Sequence, residues 1–300
     1  MVRMPAISLV ASPGQRRTAI DVAVEAEQRG FAGVYSPSMG DPVALCQAIA
    51  QATKSIPVGV AVEPIYFRSP QSMARTAASV HEFADGRFRL GIGVSHDPLN
   101  TRYHLQTGKP LADMRSYVAA MRALEPETGP LPPIVLATLR NRMVDLAAEV
   151  GDGAIWASAS RSFTAQQLRR IPEAKLKAGF FVAAALPTVI DTDLAAAAAV
   201  SRRTLAFIAQ FPNYRRYWRE AGYVEEVDVI DKAIAQGEID RLPSLLGDRL
   251  VSDCSLYGSS ATVREGVEAW FEAGIVPILT MSSTRGGQQE GVGELFRAYA

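Results

Sequence analysis

The sequence predicts an α/β protein of the (β/α)8 TIM-barrel class, with a helical insertion before its last βα unit. Three observations predict it. Eight short apolar runs rich in Val and Ile are, nearly all of them, followed by segments of helical spacing. The runs are continuously apolar rather than alternating, as parallel strands covered on both faces require. No internal repeat and no linker divides the chain, so residues 1–300 read as one domain. A doubly wound sheet is the alternative, but eight strands would make it a wide one.

The elements follow in order. AISLVA (6–11) reads as a strand, and residues 15–29 as a helix stepping through Ile20, Ala23, Val24 and Glu27 until Gly30 stops it. GVYS (33–36) is the second strand. DPVALCQAIAQAT is a helix with Asp41 as N-cap and Pro42 at its first position. IPVGVAV (56–62) is the third strand, in which Gly59 marks a close approach or a bulge. A helix opened by Pro70 covers 70–84, and FRLGIGV (88–94) is the fourth strand. After a longer loop comes a helix over 111–124, then PIVLAT (133–138) and the helix RNRMVDLAAEV. GAIWAS (153–158) is the sixth strand, FTAQQLRRIPEA a helix interrupted by Pro172, and GFFVAAAL (179–186) the seventh strand. The alanine-rich segment 193–209 is a helix because alanine favours one. Roughly residues 210–254 form the insertion, polar and helical, with Tyr214, Tyr217 and Trp218 read as apolar surface at a pocket mouth or a dimer contact. A helix over 262–274, an eighth strand VPILTMS (276–282) and a final helix GELFRAYA close the chain.

Composition excludes several functions. Lys+Arg and Asp+Glu are both 31, so the net charge of zero gives no electrostatic case for nucleic acid or an anionic membrane. The two cysteines, Cys46 and Cys254, match no metal spacing, and Cys46 reads as a buried structural thiol. The richest apolar run, GFFVAAALPTVI, is broken by Pro187 and too short to span a membrane, and the N-terminal apolar run is too short for a signal peptide. A cytoplasmic protein acting on a small molecule is the expectation.

In this fold, chemistry gathers where strands end. Those positions hold Ser12, Ser36 and Ser38, Glu63, Ser95 and His96, Thr138 and Arg140, Ala157 and Ser158, and Ser282 and Ser283. The set shows no paired carboxylates, metal cluster, Ser-His-Asp triad or strand-end lysine. A rim so poor in catalytic groups suits an enzyme that leaves the hard chemistry to a cofactor. His96 is the strongest catalytic candidate, because an imidazole exchanges a proton near neutral pH. Its segment, RLGIGVSH (89–96), half-resembles a dinucleotide fingerprint, with histidine where the third glycine belongs. That fingerprint needs a helix starting at once, whereas DPLNTRYHLQTGKP reads as a loop. Gly91 and Gly93 therefore read as a thin strand permitting close packing. LATLRNRM offers a helix N-terminus with Arg140 for an anion. TRGGQQEGVG (284–293) reads either as a phosphate cover or as a disordered surface loop.

GVAVEPIYFRSP, DGRFRLGIGVSHDP, KPLADMRSYVAAM and LAAEVGDGAIW, in this order and spacing, resemble the luciferase-like monooxygenase superfamily, nearest its deazaflavin branch. The similarity runs over most of the chain, through FPNYRRYWREAGY to EAGIVPILTMS. It implies a TIM barrel, usually dimeric, that binds coenzyme F420, or alternatively FMN, at the strand ends. It also implies hydride transfer to or from a small organic substrate, or oxygen chemistry with a flavin; a homologue that binds the cofactor without turnover is the third reading. A non-proline cis peptide that backs the ring would fall at Ala61–Val62. Val94, Ser95 and His96 would edge the ring, with His96 as the proton donor or acceptor. Ala137, Thr138, Leu139 and Arg140 would hold the cofactor's side chain and phosphate, and Ser38 and Glu63 would add contacts from adjoining strand ends. No metal is implied. The chain departs from the pattern after strand two, where SPSMGDP lacks the acidic residue and histidine of many relatives. It departs again at Leu139-Arg140, where a Gly-Pro turn is common.

Overall fold

The computed structural model describes residues 3–300. Met1 and Val2, the start of the segment read against a signal peptide, lie outside the described residues. The chain is an α/β protein of the TIM-barrel class built from alternating βα units. Among the described residues there are nine strands: β1 (Ala6–Ser8), β2 (Gly33–Ser36), β3 (Val58–Pro64), β4 (Phe88–Gly93), β5 (Ile134–Ala137), β6 (Gly153–Ala157), β7 (Phe181–Ile190), β8 (Leu256–Gly258) and β9 (Val276–Ser282). Eight answer to the strands read from the sequence. The addition is β8, which pairs in parallel with the far end of β7 through Thr188↔Leu256, Val189↔Tyr257 and Ile190↔Gly258. Three residues between two helices show no period of their own, which is why the sequence hides it. β7 also runs beyond Pro187, read as a break, because its pairing with β8 begins at the next residue.

The residues pack as two compact units, the first comprising Met4–Ile155 and Arg169–Ala183, the second Trp156–Leu168 and Ala184–Ala300 among others. In the first unit the strands lie side by side in chain order from β1 to β6, as short βα connections favour. Pairing is parallel: Ala6↔Gly33, Val34↔Val58, Val58↔Phe88, Leu90↔Ile134 and Val135↔Gly153. The helices begin where capping chemistry places them. Asp41 accepts from the Ala44 amide at 3.1 Å and Ser69 from the Ser72 amide at 3.2 Å, each followed by a proline in the first turn. The Pro70–Phe83 helix buries Met73, Ala74, Ala77 and Val80, one stripe at helical spacing. Cys46 is fully buried and its thiol donates to the Gly59 carbonyl at 3.1 Å, the structural role expected of it.

Glu27 does more than occupy a helix face. Its Oε1 accepts from the amides of Lys54, Ser55 and Ile56 at 2.8, 2.6 and 2.9 Å, fixing the turn that leads into β3. Burial alone would raise its pKa, but these amides and the Ser55 hydroxyl hold it down to about 2. A depressed folded value means stability that is present above the unfolded value of 4.5 and lost as pH falls from there towards 2. Glu27→Ala is expected to lose about 2 kcal/mol in urea denaturation at neutral pH. Its stability should also fall less across that acid window; an unchanged urea midpoint at neutral pH would refute the assignment.

In the second unit the sheet order is β9-β7-β8. The insertion is helical, as read, and consists of Pro212–Glu220, Val224–Ala235, Leu242–Leu245 and Asp248–Cys254 with a short turn of 3-10 helix. Its aromatics are not surface. Tyr214, Tyr217 and Trp218 are buried, and Tyr217 Oη accepts from the Ser160 amide at 3.0 Å. Asp253 accepts from the hydroxyls of Ser160, Ser162 and Tyr223, clasping the insertion to the segment after β6. The amphipathic pattern of PNYRRYWRE marks a buried face, and periodicity cannot say whether its cover is the same chain or another. The glycine-rich segment is not a disordered surface loop. Gln288–Ala298 is helical, and the preceding turn is pinned by Arg285, whose amide donates to Ser283 Oγ at 3.0 Å and whose guanidinium reaches Glu294 at 2.7 Å.

Candidate active site

All eleven site residues proposed from sequence lie in the first unit, on the strand ends of β2 to β5 and just beyond them. The geometry begins at a dislocation between β3 and β4. Val60 pairs with Leu90, but the next pairs are Glu63↔Ile92 and Pro64↔Gly93. β3 thus advances three residues while β4 advances two, and the surplus residue is a bulge. The Ala61–Val62 peptide within it is cis, at the bond expected from sequence.

The bulge explains the glycines of β4. A Cβ on Gly91 would stand 2.0 Å from the Val60 carbonyl oxygen and 3.0 Å from Val62 Cγ1. A Cβ on Gly93 would stand 3.0 Å from both Val62 Cγ2 and Ala137 Cβ. Val62 therefore lies across two glycines, and Ala137 completes a wall of small residues. Ala61, Val62, Val94, Ser95, His96 and Ala137 are all partly exposed, while Val60, Ile92 and Leu136 around them are buried. The result is a strip of small and apolar side chains, Ala61, Val62, Val94 and Ala137, with Ser95 and His96 at its edge. One register row nearer the strand starts, Tyr35, Gly59 and Arg89 lie side by side. The Tyr35 ring fills the space over Gly59 and stacks on Phe181 at 5.8 Å, with the Arg89 guanidinium 4.7 Å from the same Phe181 ring. Gly59 is thus the close approach, and the bulge lies two residues on.

After β4 the backbone turns sharply. Ser95 has φ +60, a left-handed conformation rare for a non-glycine residue and costing about 1 kcal/mol. His96 follows as N-cap of a six-residue helix, Asp97–Arg102. This stretch, a loop by its sequence, is helical because Pro98 in the first turn opens the helix rather than preventing it. A helix after the glycines therefore does not separate this segment from a dinucleotide loop. The bulge that fills both glycines does. Burial lowers the His96 pKa below the ordinary imidazole value, against the opposing charge of Asp97. Asn100, which no sequence pattern marks, is buried and donates from Nδ2 to the Val94 carbonyl at 3.4 Å, holding the exit of β4.

The remaining candidates divide. Ser38 and Arg140 are exposed and Leu139 is partly so, with Arg140 at the N-cap of the Asn141–Val150 helix. Thr138 is 2% exposed, and both its amide and hydroxyl donate to the Ile155 carbonyl, at 2.8 and 3.3 Å, so its side chain ties β5 to β6. Glu63 is 4% exposed and faces Arg68, with Oε1 3.3 Å from Nε. Ser36 is fully buried, and His81 and His104 lie outside this strip on the helix Pro70–Phe83 and past the helix Asp97–Arg102. Among the described residues no cluster of three or more His, Cys, Asp or Glu is arranged to hold a metal, and no helix is long and apolar enough to cross a membrane.

Comparison with known proteins matches residues 5–276 to the family model of the luciferase-like monooxygenases. The chain is 26% identical to the 5,10-methylenetetrahydromethanopterin reductase of Archaeoglobus fulgidus over 263 residues, covering 78% of this chain and 79% of that one. Among solved structures it resembles the coenzyme F420-dependent tetrahydromethanopterin reductase of Methanopyrus kandleri, with TM-score 0.76, 17% identity and complete coverage of both chains. It also resembles the oxygenating constituent of 3,6-diketocamphane monooxygenase of Pseudomonas putida in complex with FMN, with TM-score 0.59, 17% identity and 91% and 92% coverage. At these identities the structural likenesses establish the fold.

Proposed function

The chain belongs to the luciferase-like monooxygenase family, and from that premise we propose that it is an oxidoreductase that binds coenzyme F420 and passes a hydride between it and a small organic substrate. The observation that carries the reading is the strip formed by Ala61, Val62, Gly91, Gly93 and Ala137. Its small residues and lack of charged side chains fit a planar tricyclic ring contacted by backbone. When bound, F420 supplies a hydride donor or acceptor at its deazaflavin carbon.

The chain's own residues do the rest. Ala61 and Val62 would back the ring. Val94 and Ser95 would edge it and fix the approach of substrate. His96 would exchange the proton that accompanies the hydride, taking it from an alcohol or giving it to a carbonyl or activated alkene. Ser38, Leu139 and Arg140, with the helix N-terminus at Asn141, would hold the cofactor's side chain and phosphate. Thr138 and Glu63 would contribute from behind, Thr138 by fixing the end of β5. The zero net charge fits a small-molecule substrate rather than nucleic acid. The reading takes the protein to be a cytoplasmic homodimer.

A relative complexed with FMN gives the competing reading, a flavin-dependent monooxygenase. Titration separates the two. F420 fluorescence should be quenched saturably on adding protein, while reduced FMN with candidate substrates gives no oxygen uptake. Saturable binding of FMN with no response from F420 overturns the proposal.

A further inference from the structure

Glu63 stands directly after the Ala61–Val62 bulge, and its buried carboxylate begins a chain of charge that runs through the partly exposed Arg68 to the exposed Asp41. Its Oε1 lies 3.3 Å from Arg68 Nε, and Arg68 Nη2 lies 2.7 Å from Asp41 Oδ2. The other oxygen of Asp41 caps the Pro42–Ala52 helix through the Ala44 amide at 3.1 Å. Tyr117, on the helix Pro110–Arg122, donates its hydroxyl to the Arg68 carbonyl at 3.1 Å. One guanidinium thus joins the bulge to the segment after β2, with Tyr117 fixing the backbone of Arg68.

We propose that Glu63 is a positioning residue: through Arg68 and Asp41 it anchors the Ala61–Val62 bulge, and its protonation releases that anchor. The inference rests on the cofactor reading given above. The ionisable groups facing Glu63 are Arg68 from the segment after β3, Asp41 from the Pro42–Ala52 helix and Tyr117 from the Pro110–Arg122 helix. Tyr117 is pushed up by burial and stays neutral, so the balance lies between the two carboxylates and Arg68. Burial raises Glu63 to about 7, opposed by Arg68 and reinforced by the charge of Asp41. Its folded value lies above the unfolded 4.5, so its contribution to stability is present below 4.5 and lost as pH rises through about 7. Glu27, a purely structural carboxylate, shifts the opposite way. A buried carboxylate that gives up its proton near neutral pH, at a cost to stability, is the sign expected of a functional group.

The test compares wild type, Glu63→Gln and Arg68→Gln, all first shown to be folded by circular dichroism. F420 is titrated between about pH 6 and pH 8, where a lost charge-assisted hydrogen bond should weaken wild-type binding about tenfold as pH falls. Glu63→Gln should bind about tenfold more weakly at pH 8 and show no pH dependence in that range. Arg68→Gln should move the pH dependence upward, because Glu63 loses the charge that favours its ionised form. In cofactor-free protein at fixed pH, amide hydrogen exchange at Val62 and Glu63 should be faster in Glu63→Gln. Wild-type affinity and pH slope retained in Glu63→Gln overturn the inference. If wild type binds neither F420 nor FMN, the cofactor reading falls instead, and unchanged exchange in Glu63→Gln then overturns the anchoring as well.

Discussion

Alanine at position 91 is expected to destabilise the whole chain. The added Cβ would stand 2.0 Å from the Val60 carbonyl oxygen, a backbone atom in the β3–β4 pairing that has no rotamer by which to move away. Relief requires separating the two strands at the bulge, and we expect a cost of about 4 kcal/mol or more, at the upper end for overpacking. Against a total stability of about 5–15 kcal/mol, that should make the variant largely insoluble or lower its Tm by about 6 °C or more. Gly93→Ala is the matched comparison. Its Cβ meets only side-chain atoms, Val62 Cγ2 and Ala137 Cβ, both at 3.0 Å. That contact should cost about 1–2 kcal/mol and leave a folded protein with a displaced Val62. Thermal denaturation of the pair decides the matter: a Gly91→Ala variant within about 2 °C of wild type would show that the bulge does not dictate the glycine.

The same two glycines mark the boundary of what a sequence can reveal. The thinness of RLGIGVSH was legible, and the family resemblance put the cis bond at Ala61–Val62, but the link between them was not. Val62 covers Gly91 and Gly93 across a strand pairing between residues some thirty positions apart, and no local pattern encodes such a pairing. Periodicity likewise revealed the strands and most helices, because burial repeats along the chain. It could not reveal what provides the cover, hence the misreading of Tyr214, Tyr217 and Trp218 as surface. Position at a strand end also says nothing about which way a side chain turns. Ala61 and Val62 are open while Glu63, the next residue, is buried against Arg68. The arginine of YFRSP and the asparagine of DPLN carry no signal of their own. Their roles appear only when Arg68 meets Asp41 and Asn100 meets the Val94 carbonyl.

His96→Ala is expected to lower kcat for hydride transfer by about 10²- to 10⁴-fold, the usual worth of a positioned acid or base, with the Kd for F420 unchanged within about threefold. The two effects separate because the ring would be held by the strip, whereas His96 lies beyond it, past the left-handed turn at Ser95. The sign with pH follows from burial, which lowers the His96 pKa and keeps the imidazole neutral further into acid than a free histidine. Acting as a base in alcohol oxidation, it should give a rate that falls as pH drops through that lowered value, and His96→Ala should lack this limb. Acting as an acid in carbonyl reduction, it should give a rate that rises on the same descent. A homologue that binds the cofactor without turnover predicts neither limb, and a variant with unaltered kcat would remove His96 from the chemistry. A variant whose affinity falls in proportion to its rate would make His96 a binding residue, with the proton reaching the substrate from another group.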